Sequence, residues 1–173
     1  MKAPAFDYLR PATIAEAVAA LAEGAGGARI LAGGQSLVPM LNLRVAFAET
    51  LIDIGAIADL RAVVDEGETV LIGAGVTHAT LEDGTIGDHW RGMPAFVARD
   101  IAYRAVRNRG TLGGSLCHAD PAADWPVAMM ALGATMLLAG PDGERALAAK
   151  DFSVDVFTTA LEEDEMLTGI RLP

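Results

Sequence analysis

The sequence predicts an α+β protein in two unequal parts: a small α/β unit over residues 1–55 and a larger α+β unit with an antiparallel sheet over residues 56–173. Three observations carry this expectation. Strand-like and helix-like stretches alternate through the first part, which favours parallel pairing. Beyond it, two turn clusters sit between strand-like stretches and mark hairpins. The join near residues 54–58 has no linker composition, so the two parts should meet tightly.

Taken in order, Phe6-Asp7-Tyr8-Leu9 is a short strand closed by Arg10-Pro11. Thr13 opens a helix, with Glu16 completing a capping-box pattern and Ile14, Ala17, Val18 and Leu21 lining one face. Gly24 to Gly27 ends it. Arg29 to Ala32 is a second strand that runs into Gly33-Gly34-Gln35-Ser36, followed by a short apolar helix from Leu37 to Leu43 and a third strand from Thr50 to Ile54. In the second part, Arg61 to Val64 and Thr69 to Ile72 flank the turn Asp65-Glu66-Gly67-Glu68. Ala134 to Ala139 and Arg145 to Ala149 flank Gly140-Pro141-Asp142-Gly143. Met166 to Leu172 is the last strand, and helices are expected at about Thr77 to Glu82, Pro94 to Tyr103 and Ala122 to Leu132.

Composition narrows the function classes. With 52% apolar residues in 173, the chain can bury a core, which argues against disorder. The longest nearly apolar run, Val127 to Ala139, is interrupted by Gly133 and Thr135 and falls short of the roughly 20 residues of a membrane span. The N-terminus has no apolar export-signal core and places Asp7 early, so a cytoplasmic location is expected. A net charge of −10 opposes a nucleic-acid backbone as partner. Cys117 is the only cysteine, which precludes an internal disulfide and a Cys-x-x-Cys metal or cluster site.

Two glycine pairs carry the strongest chemical signal: Ala32-Gly33-Gly34-Gln35-Ser36-Leu37 and Thr111-Leu112-Gly113-Gly114-Ser115-Leu116. Read as loops, they let the backbone approach a ligand with no Cβ in the way, so that N–H groups and a hydroxyl converge on anionic oxygens. One pair is commonly only a tight turn. Two in one short chain favour a dinucleotide. Neither fits a P-loop, since Lys2 and Lys150 are far from both. Gly73-Ala74-Gly75-Val76-Thr77-His78 approaches the dinucleotide-binding fingerprint, but His78 replaces its third glycine, and the segment is read as a turn into a helix capped by Thr77.

The remaining candidates are weaker. Asp120 is placed to cap the helix that follows, with Pro121 at its first position. Asp124, one turn on, suits either ligand hydroxyls or the positive end of that helix. Cys117 beside His118 reads as a small buried hydrophobe rather than a nucleophile with its base. His78, His89 and His118 lack metal-ligand spacing, so no metal site is expected. Arg104, Arg107 and Arg109 form a solvated basic patch by default, with phosphate or a partner's acids as the other reading. Glu162-Glu163-Asp164-Glu165 reads as a solvated turn.

Three strings, Phe6-Asp7-Tyr8 with Arg10-Pro11, Ala32 to Pro39, and Val106 to Leu116, together resemble the FAD-binding medium subunits of the molybdenum hydroxylases, the group of carbon monoxide and xanthine dehydrogenases. The likeness runs through Ile170-Arg171-Leu172-Pro173. It implies a PCMH or vanillyl-alcohol-oxidase type of FAD-binding fold, with non-covalent FAD extended between the two subdomains. By motif, Ala32, Gly33, Gly34, Gln35, Ser36 and Leu37, together with Thr111, Gly113, Gly114 and Ser115, would hold the pyrophosphate and adjoining groups. Asp124 would bind the flavin's sugar-alcohol chain, Leu167 would lie beside the isoalloxazine, and Ile101 and Ala102 would approach through backbone atoms. The resemblance also implies a large molybdenum-pterin subunit and a small [2Fe-2S] subunit, in a heterotrimer or its dimer. Electrons would pass through FAD to an external acceptor, with no catalytic side chain needed in this chain.

Two departures from the family pattern stand out. The family's C-terminal domain, which covers the flavin, is absent from these residues, and the stretch from Leu81 to Pro94 looks shorter than usual. Two other functions are weighed against the electron-transfer reading. A cofactor-poor interaction module would fit the missing domain but not the intact glycine pairs. A free-standing flavin oxidase would need a base or a histidine tether to the flavin, and no candidate for either stands out.

Overall fold

The computed structural model describes residues 2–84 and 89–173. In chain order they form β1 (Asp7–Leu9), α1 (Ile14–Glu23), β2 (Ala28–Leu31), α2 (Leu37–Leu43), β3 (Thr50–Asp53), β4 (Val63–Asp65) and β5 (Val70–Gly73). Then follow α3 (His78–Glu82), α4 (Met93–Asp100), α5 (Arg104–Arg107), α6 (Leu112–His118) and α7 (Asp124–Ala131). The chain closes with β6 (Thr135–Gly140), β7 (Gly143–Ala148), α8 (Ala149–Phe152), β8 (Ser153–Asp155), β9 (Thr158–Thr159) and β10 (Met166–Leu172). The fold is α+β, as the sequence predicts.

The first part is a parallel sheet of order β1-β3-β2. Helix α1 starts where expected because Thr13 accepts a hydrogen bond from the Glu16 N–H at 3.2 Å, while the Glu16 carboxylate reaches back to the Ala12 N–H at 2.7 Å. Its buried Ala17, Val18 and Leu21 meet Ile52 and Ile54 beneath the sheet. That core also takes Ile57, Leu60, Ala139 and Met166 from the second part, so no solvent layer separates the two.

The second part is an antiparallel sheet of order β4-β5-β10-β6-β7. Strand β10 lies at its centre, and its register against β6 shifts between Leu167 and Gly169. Both predicted hairpins form, β4–β5 and β6–β7. Trp125 and Met129 of α7, Leu112 and Leu116 of α6, Phe152, Ile170 and Leu172 fill the main core. Full burial of such side chains contributes about 1.5–3 kcal/mol each.

Four expectations need correcting. The helix expected from Pro94 to Tyr103 stops at Asp100, because Ala102 turns left-handed at φ 44°, and α5 restarts from Arg104. The helix expected from Ala122 starts at Asp124. Asp120 does not cap it: its carboxylate accepts from the Ala122 N–H at 2.8 Å, closing a turn ahead of the helix. The second glycine motif is not a loop, since Leu112 to His118 is helical. Part of the stretch between Leu81 and Pro94 that looked short, residues 85–88, lies outside the described residues.

Candidate functional site

The first glycine motif links β2 to α2. Gly34 takes φ +71°, open to glycine at little cost, and Gly33 is pressed so closely on the neighbouring chain that a Cβ would stand 2.1 Å from the Arg109 carbonyl oxygen. Ser36 sits at the helix cap without using its hydroxyl there. Among the described residues, the backbone N–H groups of Gly34, Gln35, Ser36 and Leu37 meet no acceptor within the chain. Four successive free donors suit anionic oxygen atoms.

The second motif is built differently. The Thr111 hydroxyl caps α6 by accepting from the Gly114 N–H at 3.0 Å. Leu112 donates to the Val76 carbonyl, Gly113 to the Ala74 carbonyl and Ser115 to the Thr111 carbonyl. A Cβ on Gly113 would lie 2.5 Å from the Ala74 Cβ, so the glycine is needed for α6 to lie against the turn that follows β5. The two motifs nevertheless abut: Gly33 faces the Arg109–Gly110 backbone, and a Cβ on Gly114 would stand 3.6 Å from the Ala32 Cβ.

Between them opens a cavity of about 540 Å³. Ala32, Gly33, Gly34, Gln35, Ser36 and Leu37 line one side, with Thr111, Gly113, Gly114, Ser115, Ile101 and Leu167. Ala102 and Asp124 are not among the lining residues, although Ala123 is. Arg107 braces the Ile101–Ala102 corner. Its guanidinium donates to both carbonyl oxygens, at 2.9 and 2.8 Å, and grips Glu82 at 2.8 and 3.1 Å. The Arg107 hydrogen bond, aided by Arg104, holds Glu82 below the ordinary carboxylate range, and Arg104 does the same to Asp83. Arg104 and Arg107 are therefore committed to acids of this chain rather than forming a solvated patch.

The cavity is also lined by residues that the sequence reading does not place at the site, among them His78, Glu165 and Cys117. His78 follows the Thr77 cap of α3 as expected, but its ring is buried and stacked on Trp125, and desolvation, with the Arg107 charge second, takes it down to about 4. Glu165, expected to be solvated, is held by Arg145 at 2.5 Å and drops below the usual carboxylate range. Cys117 stands at the cavity wall, where burial pushes its thiol up to about 12. A thiol so protonated is no nucleophile. Periodicity cannot flag such residues, because segments distant in sequence meet at the wall.

Comparison with known proteins gives consistent results. Residues 4–173 match the family described as the FAD binding domain in molybdopterin dehydrogenase. The carbon monoxide dehydrogenase medium chain of Hydrogenophaga pseudoflava is 42% identical over 170 residues, covering 98% of this chain and 59% of the relative. Caffeine dehydrogenase subunit beta of Pseudomonas sp. strain CBB1 is 39% identical over 174 residues, covering 100% and 59%. The chain thus spans about three fifths of the length of these relatives. Among solved structures, carbon monoxide dehydrogenase from Hydrogenophaga pseudoflava lacking its molybdenum-pyranopterin moiety superposes with a TM-score of 0.97 at 42% identity, covering all of this chain and 60% of the other. Quinoline 2-oxidoreductase from Pseudomonas putida 86 gives 0.96 at 39% identity, with the same coverage.

Proposed function

The chain belongs to the family of FAD-binding domains of molybdopterin dehydrogenases, and from that membership we propose that the cavity between its two glycine motifs holds FAD without a covalent link. The free N–H groups of Gly34 to Leu37 at that cavity support the reading most directly, since a diphosphate supplies the acceptors they lack. Ala32 and Gly33 would bring this backbone close. Thr111, Gly113 and Gly114 would supply a wall free of bulky side chains, and Ser115 a hydroxyl. Leu167 would lie against the isoalloxazine, Ile101 and Ala102 would approach through backbone atoms, and Asp124 would reach the sugar-alcohol chain from the start of α7. On this reading the cofactor runs between residues 1–55 and residues 56–173.

Bound there, FAD supplies one- and two-electron chemistry. The chain's own residues position it: the Arg107–Glu82 pair fixes the Ile101–Ala102 corner, and the protonated Cys117 leaves the wall apolar. We assign the chain to the oxidoreductase class as the flavin part of a molybdenum hydroxylase. In that complex it would accept electrons from [2Fe-2S] clusters of a small partner and pass them to an external acceptor. A large molybdenum-pterin subunit would hold the substrate site, and the cytoplasm would house the complex, built as a heterotrimer or its dimer. The medium-chain relatives support this assembly.

The test is the visible spectrum of the purified chain, with the released cofactor identified by mass. Oxidised-flavin absorption is expected, lost in Gly114→Val, whose side chain would strike the Thr111 hydroxyl and enter the cavity. Unchanged flavin in a folded Gly114→Val protein overturns the assigned site. A native host complex lacking any molybdenum subunit overturns the assembly.

A further inference from the structure

The cavity wall around the second glycine motif is short of donors, because the N–H groups of Leu112, Gly113, Gly114 and Ser115 are all engaged within the chain. Besides the Ser115 hydroxyl, one buried side chain can supply another. His78 lies 5% exposed at the cavity wall, and its backbone N–H donates to the Gly110 carbonyl, which fixes the ring beneath the Gly110–Thr111 segment.

The ring's two nitrogens have different surroundings. Trp125 is fully buried, and its Nε1–H donates to His78 Nδ1 at 3.2 Å. An indole nitrogen only donates, so Nδ1 is the acceptor and a neutral ring carries its proton on Nε2. Nε2 meets no acceptor among the described residues, yet no described side-chain nitrogen is fully buried without a partner, so Nε2 is not sealed in protein, and the residue that carries it lines the cavity. Gly110 keeps it uncovered: a Cβ there would stand 3.0 Å from Nε2.

We propose that His78, held by Trp125 in the Nε2–H form, is a hydrogen-bond donor from the cavity wall to an oxygen of the bound dinucleotide. This rests on the FAD reading above. It assigns to the second motif's wall the donor that its own backbone does not provide. Burial lowers the basicity of the ring, so the donor stays neutral and single-tautomer through the physiological range.

The test uses two variants and one spectrum of the unaltered chain. His78→Asn keeps an acceptor for Trp125 but withdraws the reach to the cavity, and is expected to weaken FAD about tenfold, the loss of one hydrogen bond to a polar or charged oxygen, with little change in Tm. His78→Gln returns an amide N–H at about the Nε2 position and should recover most of that loss. In the unaltered chain, ¹⁵N-imidazole resonances should report the Nε2–H tautomer and move when FAD is added. If FAD binds and the Nε2 resonance stays still, or His78→Asn binds FAD as tightly as the unaltered chain, this inference fails and the FAD reading stands. If the unaltered chain takes up no FAD, both fail.

Discussion

The two glycine pairs look alike on the page and behave differently in the fold. Gly33-Gly34 makes a turn whose following N–H groups have no acceptor among the described residues; Gly113-Gly114 opens a helix whose N–H groups are spent on Ala74, Val76 and the Thr111 cap. In the first, glycine leaves donors available. In the second, it lets a helix lie against the turn that follows β5. A glycine pair is therefore not a single kind of evidence. Its meaning depends on whether the neighbouring backbone has spent its hydrogen bonds.

The comparison can be broken most severely at Gly33. Gly33→Ala puts a methyl 2.1 Å from the Arg109 carbonyl oxygen, backbone against backbone, and should cost about 3 kcal/mol or more, read as a shift of the urea midpoint. A near-native midpoint would mean that the motifs do not abut.

The next largest effect is on pH, through the histidine under the second motif. His78 falls from 6.5 to about 4 on folding. Above pH 6.5 neither state is protonated there and stability is full. Between 6.5 and about 4 only the unfolded chain takes up the proton, so stability falls by roughly 3 kcal/mol and then levels off. Urea titrations across that range should find this slope flattened in His78→Asn. An unchanged slope would place the responsible group elsewhere.

Gly113→Ala should come third, at about 1–3 kcal/mol from overpacking against Ala74, read as a shift of the urea midpoint without FAD. The smallest effects separate the two hydroxyls. Thr111→Ala removes a helix cap and should cost about 1 kcal/mol in stability. Ser36→Ala, which removes no capping bond, should leave Tm nearly unchanged and instead weaken FAD. Equal Tm losses in the two would erase the distinction between the motifs.

Local chemistry was legible from the residues. The Thr13–Glu16 box, the Thr77 cap, the hairpin turn at Pro141-Asp142 and the strand Met166–Leu172 depend on neighbours in the chain, and each forms where the pattern puts it. Expectations that depended on distant partners were not readable. The three arginines look like a free basic patch until Glu82 and Asp83 are brought opposite two of them. Asp120 looks like a helix cap until the helix is seen to begin four residues later. His78 looks like a defect in a glycine fingerprint until Trp125, 47 residues on, supplies its donor.

By itself, then, the sequence determined the α+β class, the strands and helices that rest on local patterns, the family, and the residues with chemical promise, because periodicity, caps and motif strings act over a few residues. Only the tertiary structure decided which backbone donors remain unspent, which charges cancel one another, and which wall His78 faces. Those are properties of pairs far apart in the chain, and their energies depend on burial, which no local string encodes.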